Sequence, residues 1–218
     1  MKFAIIIFPG TSGEEDMLHV ISELGHQAEY IWHNEDSLDA FDAVILPGGA
    51  SYGNYLRSGS MAAKANIIQA LHKANTAGKP ILGVGNGFQI LTEAGILPGS
   101  FLPNTGMKFL CQPTQIKVEN NKTIFTSKYN PGQTVNFPIA HADGNYYCDE
   151  ATLSELENNN QIIFTYQQNP NGSLKNIAGI TNKAGNILGL MPHPERSADE
   201  LLGSEDGLAL FKSIVESI

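Results

Sequence analysis

The chain has 218 residues, 42% hydrophobic and 16% charged, with a net charge of -9 at pH 7. That balance suits one sizeable α/β unit with a full core, read as a single domain over residues 1–218, and excludes a disordered or collagen-like chain. No Lys/Arg cluster or basic and aromatic stripe occurs, which argues against nucleic acid, and the longest apolar runs, "FAIIIF" and "AVILP", fall far short of the roughly 18 residues a membrane span needs.

The opening "MKFAIIIFPGTSGEED" lacks a signal-cleavage pattern, so a cytoplasmic location is expected. Through the first hundred residues, continuous β-rich runs alternate with helical patterns, the mark of a parallel sheet covered on both faces. The expected strands are residues 2–8 (KFAIIIF), 27–33 (QAEYIWH), 42–47 (DAVILP) and 80–85 (PILGVG). Met17, Leu18, Ile21 and Leu24 give one apolar helix face that ends at Gly25. A second helix is expected over 62–77, with Ala65, Ile68 and Leu71 on one stripe and Gly78 closing it. A third starts after the glycines at 83, 85 and 87, carries Phe88, Ile90 and Leu91, and stops near Gly95.

From about residue 100 the texture changes to short runs separated by the turn signals "ENNKT", "YNPGQ", "ADGN", "NPNGS" and "NKAGN", which argue for antiparallel hairpins extending the sheet. A final helix is expected over 205–217, with Leu208, Phe211, Ile214 and Val215 on its buried face. The two cysteines, Cys111 and Cys148, are too few for a disulfide scaffold and lack C-x-x-C spacing, so both are read as reduced thiols in or near strands. His19, His26, His33, His72, His141 and His193 form no i, i+4 ligand pair, so no metal site is expected.

Three stretches end parallel-type strands, where ligands gather in open α/β sheets: "PGGASYG" at 47–53, "GVGNGFQ" at 83–89 and "MPHPE" at 191–195. Taken alone, PGGAS is a common turn. Its functional reading is a glycine loop, Gly48 and Gly49, whose backbone N–H groups hold a developing oxyanion. A strand that turns sharply into a helix often presents a nucleophile at the apex, and the amide of the next residue, here Asn86, is then a second oxyanion donor. His193 is a candidate general base, and Glu195 a candidate carboxylate to orient its imidazole. An alternative remains in "GTSG" at 10–13, which before the first helix could cradle the phosphate of a nucleotide or flavin. Arg57 and Arg196 flank the site loops and either could meet a carboxylate or simply be solvated.

The order P-G-G-x-S, then G-x-G-x-G-x-Q, then H-P-E resembles the class I, or triad, glutamine amidotransferase family. The longer phrases "PGGASYGNYLRSG", "GKPILGVGNGFQILTEAGILPG", "AHADGNYYC" and "GNILGLMPHPER" resemble the glutaminase subunits of phosphoribosylformylglycinamidine synthases, over nearly the whole chain. The resemblance implies a flavodoxin-like central sheet and hydrolysis of glutamine through a γ-glutamyl thioester. It implies ammonia transfer to a synthetase subunit that amidates formylglycinamide ribonucleotide in purine synthesis, with a small accessory subunit in the same complex. ATP and Mg would then bind the synthetase partner, with no cofactor in this chain. By the same resemblance His193 is the base, Glu195 its orienting acid, Gly48 and Gly49 the oxyanion loop, and Gln89 a glutamine contact, while His141 in "AHADGN" either faces the site or a partner or is a satisfied structural histidine.

The departure is at the apex. The family places its cysteine nucleophile where this chain has Gly85, and members often carry a cysteine at the position of Gly13 and an acid at that of Asn54. Cys111 and Cys148 lie in hairpin regions, away from a strand-to-helix apex, and neither is expected to substitute. Negligible glutaminase activity is therefore expected, with a non-catalytic interaction subunit, working beside free ammonia, as the alternative role.

Overall fold

The computed structural model describes residues 1–217. Its first half runs β1 (Lys2–Ile7), α1 (Glu14–Glu23), β2 (Gln27–Trp32), β3 (Ala43–Leu46), α2 (Ile67–Thr76), β4 (Ile81–Val84) and α3 (Asn86–Glu93). The second half runs β5 (Ser100–Leu102), β6 (Leu110–Val118), β7 (Thr134–His141), β8 (Asn145–Tyr147), α4 (Glu150–Asn158), β9 (Ile162–Tyr166), β10 (Ile177–Thr181), β11 (Ile187–Leu190) and α5 (Leu208–Val215).

Nine strands make one sheet in the order β2-β1-β3-β4-β11-β10-β9-β6-β7, while β5 and β8 pair separately. The parallel part, β2-β1-β3-β4-β11, has the flavodoxin-like order 2-1-3-4-5 with β11 as its fifth strand. β11 is the pivot: it runs parallel to β4 on one side and antiparallel to β10 on the other. The expected hairpins thus prolong the parallel sheet, through β10, β9, β6 and β7.

Both faces of β1, β3, β4 and β11 are covered, which explains their unbroken apolar runs, while β2 at the sheet edge stays largely exposed. Along β1, Phe3, Ile5 and Ile7 join the core beneath α1 and α5, while Ala4 and Ile6 join the one beneath α2 and α3. Helix α1 buries Met17, Val20 and Ile21, and α5 buries Leu210, Phe211 and Ile214.

Two expectations need correction. The helix expected over 62–77 is broken: a 3-10 turn over Ala62–Lys64 ends at extended Ala65, and α2 begins at Ile67. The Ile67 N–H donates to the His33 carbonyl at 3.1 Å and the Asn66 amide reaches the Asn34 carbonyl, so the helix start is pinned to the end of β2. The hairpin reading of the second half also overlooked α4. That helix has a local signal, since the Asp149 carboxylate accepts from the Thr152 N–H at 2.8 Å, the standard N-cap contact.

Candidate active site

The sheet order explains why the three glycine- and histidine-bearing stretches meet. They leave the carboxyl ends of β3, β4 and β11, which are immediate neighbours, and they converge on a cavity of about 500 Å³. Gly49, Gly85, Asn86, Gln89 and His193 all line it.

Gly85 sits between β4 and α3 with φ 53 and ψ -109, a region in which a residue with a Cβ costs on the order of 1–3 kcal/mol. Its N–H donates to the Leu190 carbonyl of β11 at 2.8 Å, and its own carbonyl accepts from the Phe88 and Gln89 N–H groups of α3. The turn is thus held from both sides. A Cβ built on Gly85 would point at His193, 3.0 Å from Cε1 and 3.2 Å from Nε2. Gly48 is constrained by the same ring, because a Cβ there would meet His193 Cε1 at 2.6 Å.

His193 follows β11 and is tied to β7 by donation from its N–H to the Pro138 carbonyl at 2.8 Å. His193 is 2% exposed and Glu195 1%. The imidazole Nδ1 lies 2.6 Å from Glu195 Oε1. A carboxylate oxygen accepts, so Nδ1 carries a proton, and the Cε1–Nε2 edge of the ring faces the apex. Glu195 Oε2 has no hydrogen-bond partner. Arg196 lies 3.7 Å from Glu195 Oε1 and 3.9 Å from Asp16 on α1. The Asp16 carboxyl is pushed above the usual carboxylate range, first by burial and then by the Glu195 charge.

The glycine loop is held in place by residues 10–12. Ser12 N–H donates to the Gly48 carbonyl at 3.1 Å, Ala50 N–H to the Gly10 carbonyl at 2.8 Å, and Thr11 bridges to Gly49. Those two bonds flank Gly49 and leave its own N–H without a protein acceptor among the described residues. The Asn86 N–H is similarly free, as the first amide of a helix is. Two residues with free backbone donors therefore line the cavity together with Gly85 and the His193 imidazole.

The same contacts correct the phosphate reading of "GTSG". The Thr11 and Ser12 N–H groups are both taken, by Phe8 and Gly48, and the first turn of α1 is acidic with Glu14, Glu15 and Asp16, which opposes an anion. Asn86 and Gln89 are also busier than expected. Ser51 N–H donates to Asn86 Oδ1, the Asn86 amide donates to Gln89 Oε1 at 2.9 Å, and Gln89 Nε2 donates to the Asp143 carbonyl at 2.7 Å. Their side chains splice the loop after β3, the elbow and the turn after β7 into one wall. Arg57 is not at the site: it makes a two-pronged pair with Glu93, at 2.6 and 2.7 Å.

Of the two readings left open for His141, the structure bears out the one that faces the site: His141 lines the cavity with Phe109, Cys111, Ala140, Ala142 and Asp143. His141 is 5% exposed. The Asn104 amide nitrogen donates to the Lys108 and His141 carbonyls, so its oxygen is the acceptor for His141 Nδ1 at 3.0 Å. Burial, and after it the proximity of His193, pushes the His141 imidazole down to about 4. The "AHADGN" phrase was the available signal. Cys111 is free and exposed, Cys148 free and buried. Among the described residues no group of three or more His, Cys, Asp or Glu side chains is placed to hold a metal ion.

A family profile described as the CobB/CobQ-like glutamine amidotransferase domain matches residues 1–207. The chain belongs to that family. At full length it is 40% identical to a chain in the structure of PurLQS from Thermotoga maritima, with a TM-score of 0.92, covering 99% of this chain and 98% of that one. A GMP synthase-like protein from Thermoplasma acidophilum, at 18% identity, superposes with a TM-score of 0.70 over 99% of this chain and 93% of that one. A glutamine amidotransferase from Thermotoga maritima, also at 18% identity, gives 0.66 over 100% and 97%. The last two likenesses show the fold alone. Together with the α/β architecture, the family match makes this a glutamine amidotransferase domain, and no helix among its described residues is long and apolar enough to cross a membrane.

Proposed function

We propose that this amidotransferase domain is the glutaminase subunit of a phosphoribosylformylglycinamidine synthase. In that role it delivers ammonia from glutamine to a synthetase subunit, which uses ATP and Mg to convert formylglycinamide ribonucleotide to formylglycinamidine ribonucleotide. The chain itself carries no cofactor and works in the cytoplasm with the synthetase and a small accessory subunit. One observation carries the reading: the buried His193–Glu195 pair, at 2.6 Å, sets the Cε1–Nε2 edge of the imidazole against the apex of a strand-to-helix elbow. The 40% identity to a chain of a PurLQS structure supports the choice of complex.

In this role His193 takes the proton from the attacking group and returns it to the leaving ammonia. Glu195 holds the ring in one tautomer and offsets the imidazolium charge. The Gly49 and Asn86 N–H groups stabilise the oxyanion, Gly48 gives the ring room, and Gln89 shapes the glutamine cavity. Gly85 supplies no attacking atom. Loss of the nucleophile alone costs about 10⁶-fold in turnover in subtilisin, so this chain is expected to hydrolyse glutamine negligibly.

The second reading, a non-catalytic interaction subunit that steadies the synthetase while free ammonia serves as donor, draws on Gly85 itself. Glutamate release from glutamine by this chain and by Gly85→Cys, with synthetase partners and ATP present, separates the two. Turnover by the variant alone supports the glutaminase site. Silence from both, with ammonia-dependent amidation intact, leaves the interaction subunit.

A further inference from the structure

Gly85 presents only hydrogen where the elbow aims a side chain, yet the machinery around it is complete. His193 Nε2 has no partner among the described residues, its proton-bearing Nδ1 is held by a buried carboxylate, and the N–H groups of Gly49 and Asn86 are free. The space beside the apex opens into the cavity, because Gly85 itself lines it. We propose that this site accepts a small external thiol, of the class of hydrogen sulfide or methanethiol, as its nucleophile toward the side-chain carboxamide of bound glutamine. The proposal rests on reading the cavity as a glutaminase site.

The geometry favours an untethered group. A Cβ fixed on Gly85 would stand 3.0 Å from His193 Cε1, closer than ordinary van der Waals contact, so a tethered side chain obliges the ring to retreat. A free thiol settles at its own distance from Nε2. The chemistry favours sulfur over water. A cysteine thiol ionises near pH 8.5 and water near 15.7, and small thiols as a class lie far below water, so an imidazole removes a thiol proton at neutral pH far more readily.

The step balances without an oxidant or reductant. The S–H proton passes to His193 Nε2, and sulfur bonds to the carboxamide carbon while the N–H groups of Gly49 and Asn86 hold the oxygen. The C–N bond then breaks, and nitrogen leaves as ammonia with the proton returned by His193. The product is a free γ-thioester, or a γ-thioacid from hydrogen sulfide, and water hydrolyses it to glutamate and regenerates the thiol. Tethering is worth a large effective concentration, so the thiol-supplied rate stays well below that of Gly85→Cys and rises in proportion to thiol.

The test measures ammonia and glutamate from glutamine with the full chain, alone and with its synthetase partner, across a millimolar series of methanethiolate and of sulfide. The expected result is release at least about tenfold above thiol in buffer, linear in thiol and saturable in glutamine. Release disappears in both His193→Ala and His193→Asn, two variants that differ in bulk at the buried site. It persists in Arg57→Ala, whose pair with Glu93 lies outside the cavity. Gly85→Cys turning over while the thiol-supplied chain stays at the buffer rate overturns the proposal and leaves the glutaminase reading standing. Thiol-dependent release that survives both His193 variants overturns it as well. Silence from Gly85→Cys and from the thiol-supplied chain together removes the glutaminase reading, and the proposal with it.

Discussion

The two walls of the cavity each present a buried histidine with Nδ1 against an oxygen, and they differ in what that oxygen belongs to. On the wall at the ends of β4 and β11, His193 faces the Glu195 carboxylate. On the wall from β6 and β7, His141 faces the amide oxygen of Asn104. Both contacts select the same tautomer. A carboxylate can also balance an imidazolium, whereas an amide cannot, and burial then holds His141 neutral down to about 4. Two equally buried rings in one cavity are thereby suited to different work, proton transfer for His193 and a fixed neutral surface for His141.

The largest expected effect comes from making the first wall resemble the second. Glu195→Gln in a Gly85→Cys background gives His193 an amide partner, and glutamate release should fall by about 10³ to 10⁴-fold with the fold intact by circular dichroism. A loss below about tenfold would show that the carboxylate is not needed to hold or balance the ring.

Next is the pH dependence of the second wall. The folded state holds His141 near 4 against an ordinary 6.5, so the unfolded chain binds the extra proton and stability falls as pH drops from about 6.5 to about 4. The shift corresponds to at most about 3 kcal/mol. Urea unfolding of the chain and of His141→Asn, compared across that window, should show a shallower fall in the variant. Equal slopes would mean that His141 is not held neutral by the fold.

A smaller effect is expected at Gly48, where a methyl group would meet His193 Cε1 at 2.6 Å. Gly48→Ala should cost about 1–3 kcal/mol by overpacking and should lower thiol- or cysteine-dependent turnover with it. The smallest belongs to Arg57, whose pair with Glu93 is exposed and lies outside the cavity. Arg57→Ala should change stability by less than about 1 kcal/mol and leave turnover in the Gly85→Cys background unchanged.

Legibility differed between the same two regions. The parallel strands and their helices were readable because both faces of β1, β3 and β4 are buried, which writes continuous apolar runs into the chain. The elbow and the His193–Glu195 pair were readable because each is local, within a few residues. The 62–77 stretch misled because its apolar stripe reports which side is buried, while the break at Ala65 comes from the pairing of Ile67 with His33, more than thirty positions away in the chain. Helix α4 was hidden by turn signals on both sides, although Asp149 marks its start. His141 was only half legible: its phrase flagged it, but the contact with Asn104 that fixes its ring spans 37 residues.

What the chain determined by itself was the order of strands and helices, the glycine apex without a nucleophile and the residues able to act beside it. Those follow from short-range sterics and from periodic burial. The tertiary structure decided that β3, β4 and β11 lie side by side, that the Cε1–Nε2 edge of His193 faces Gly85, and that a second, neutral histidine lines the cavity. Such choices depend on which distant strands pair and which buried oxygen each imidazole meets, and no local spacing encodes either.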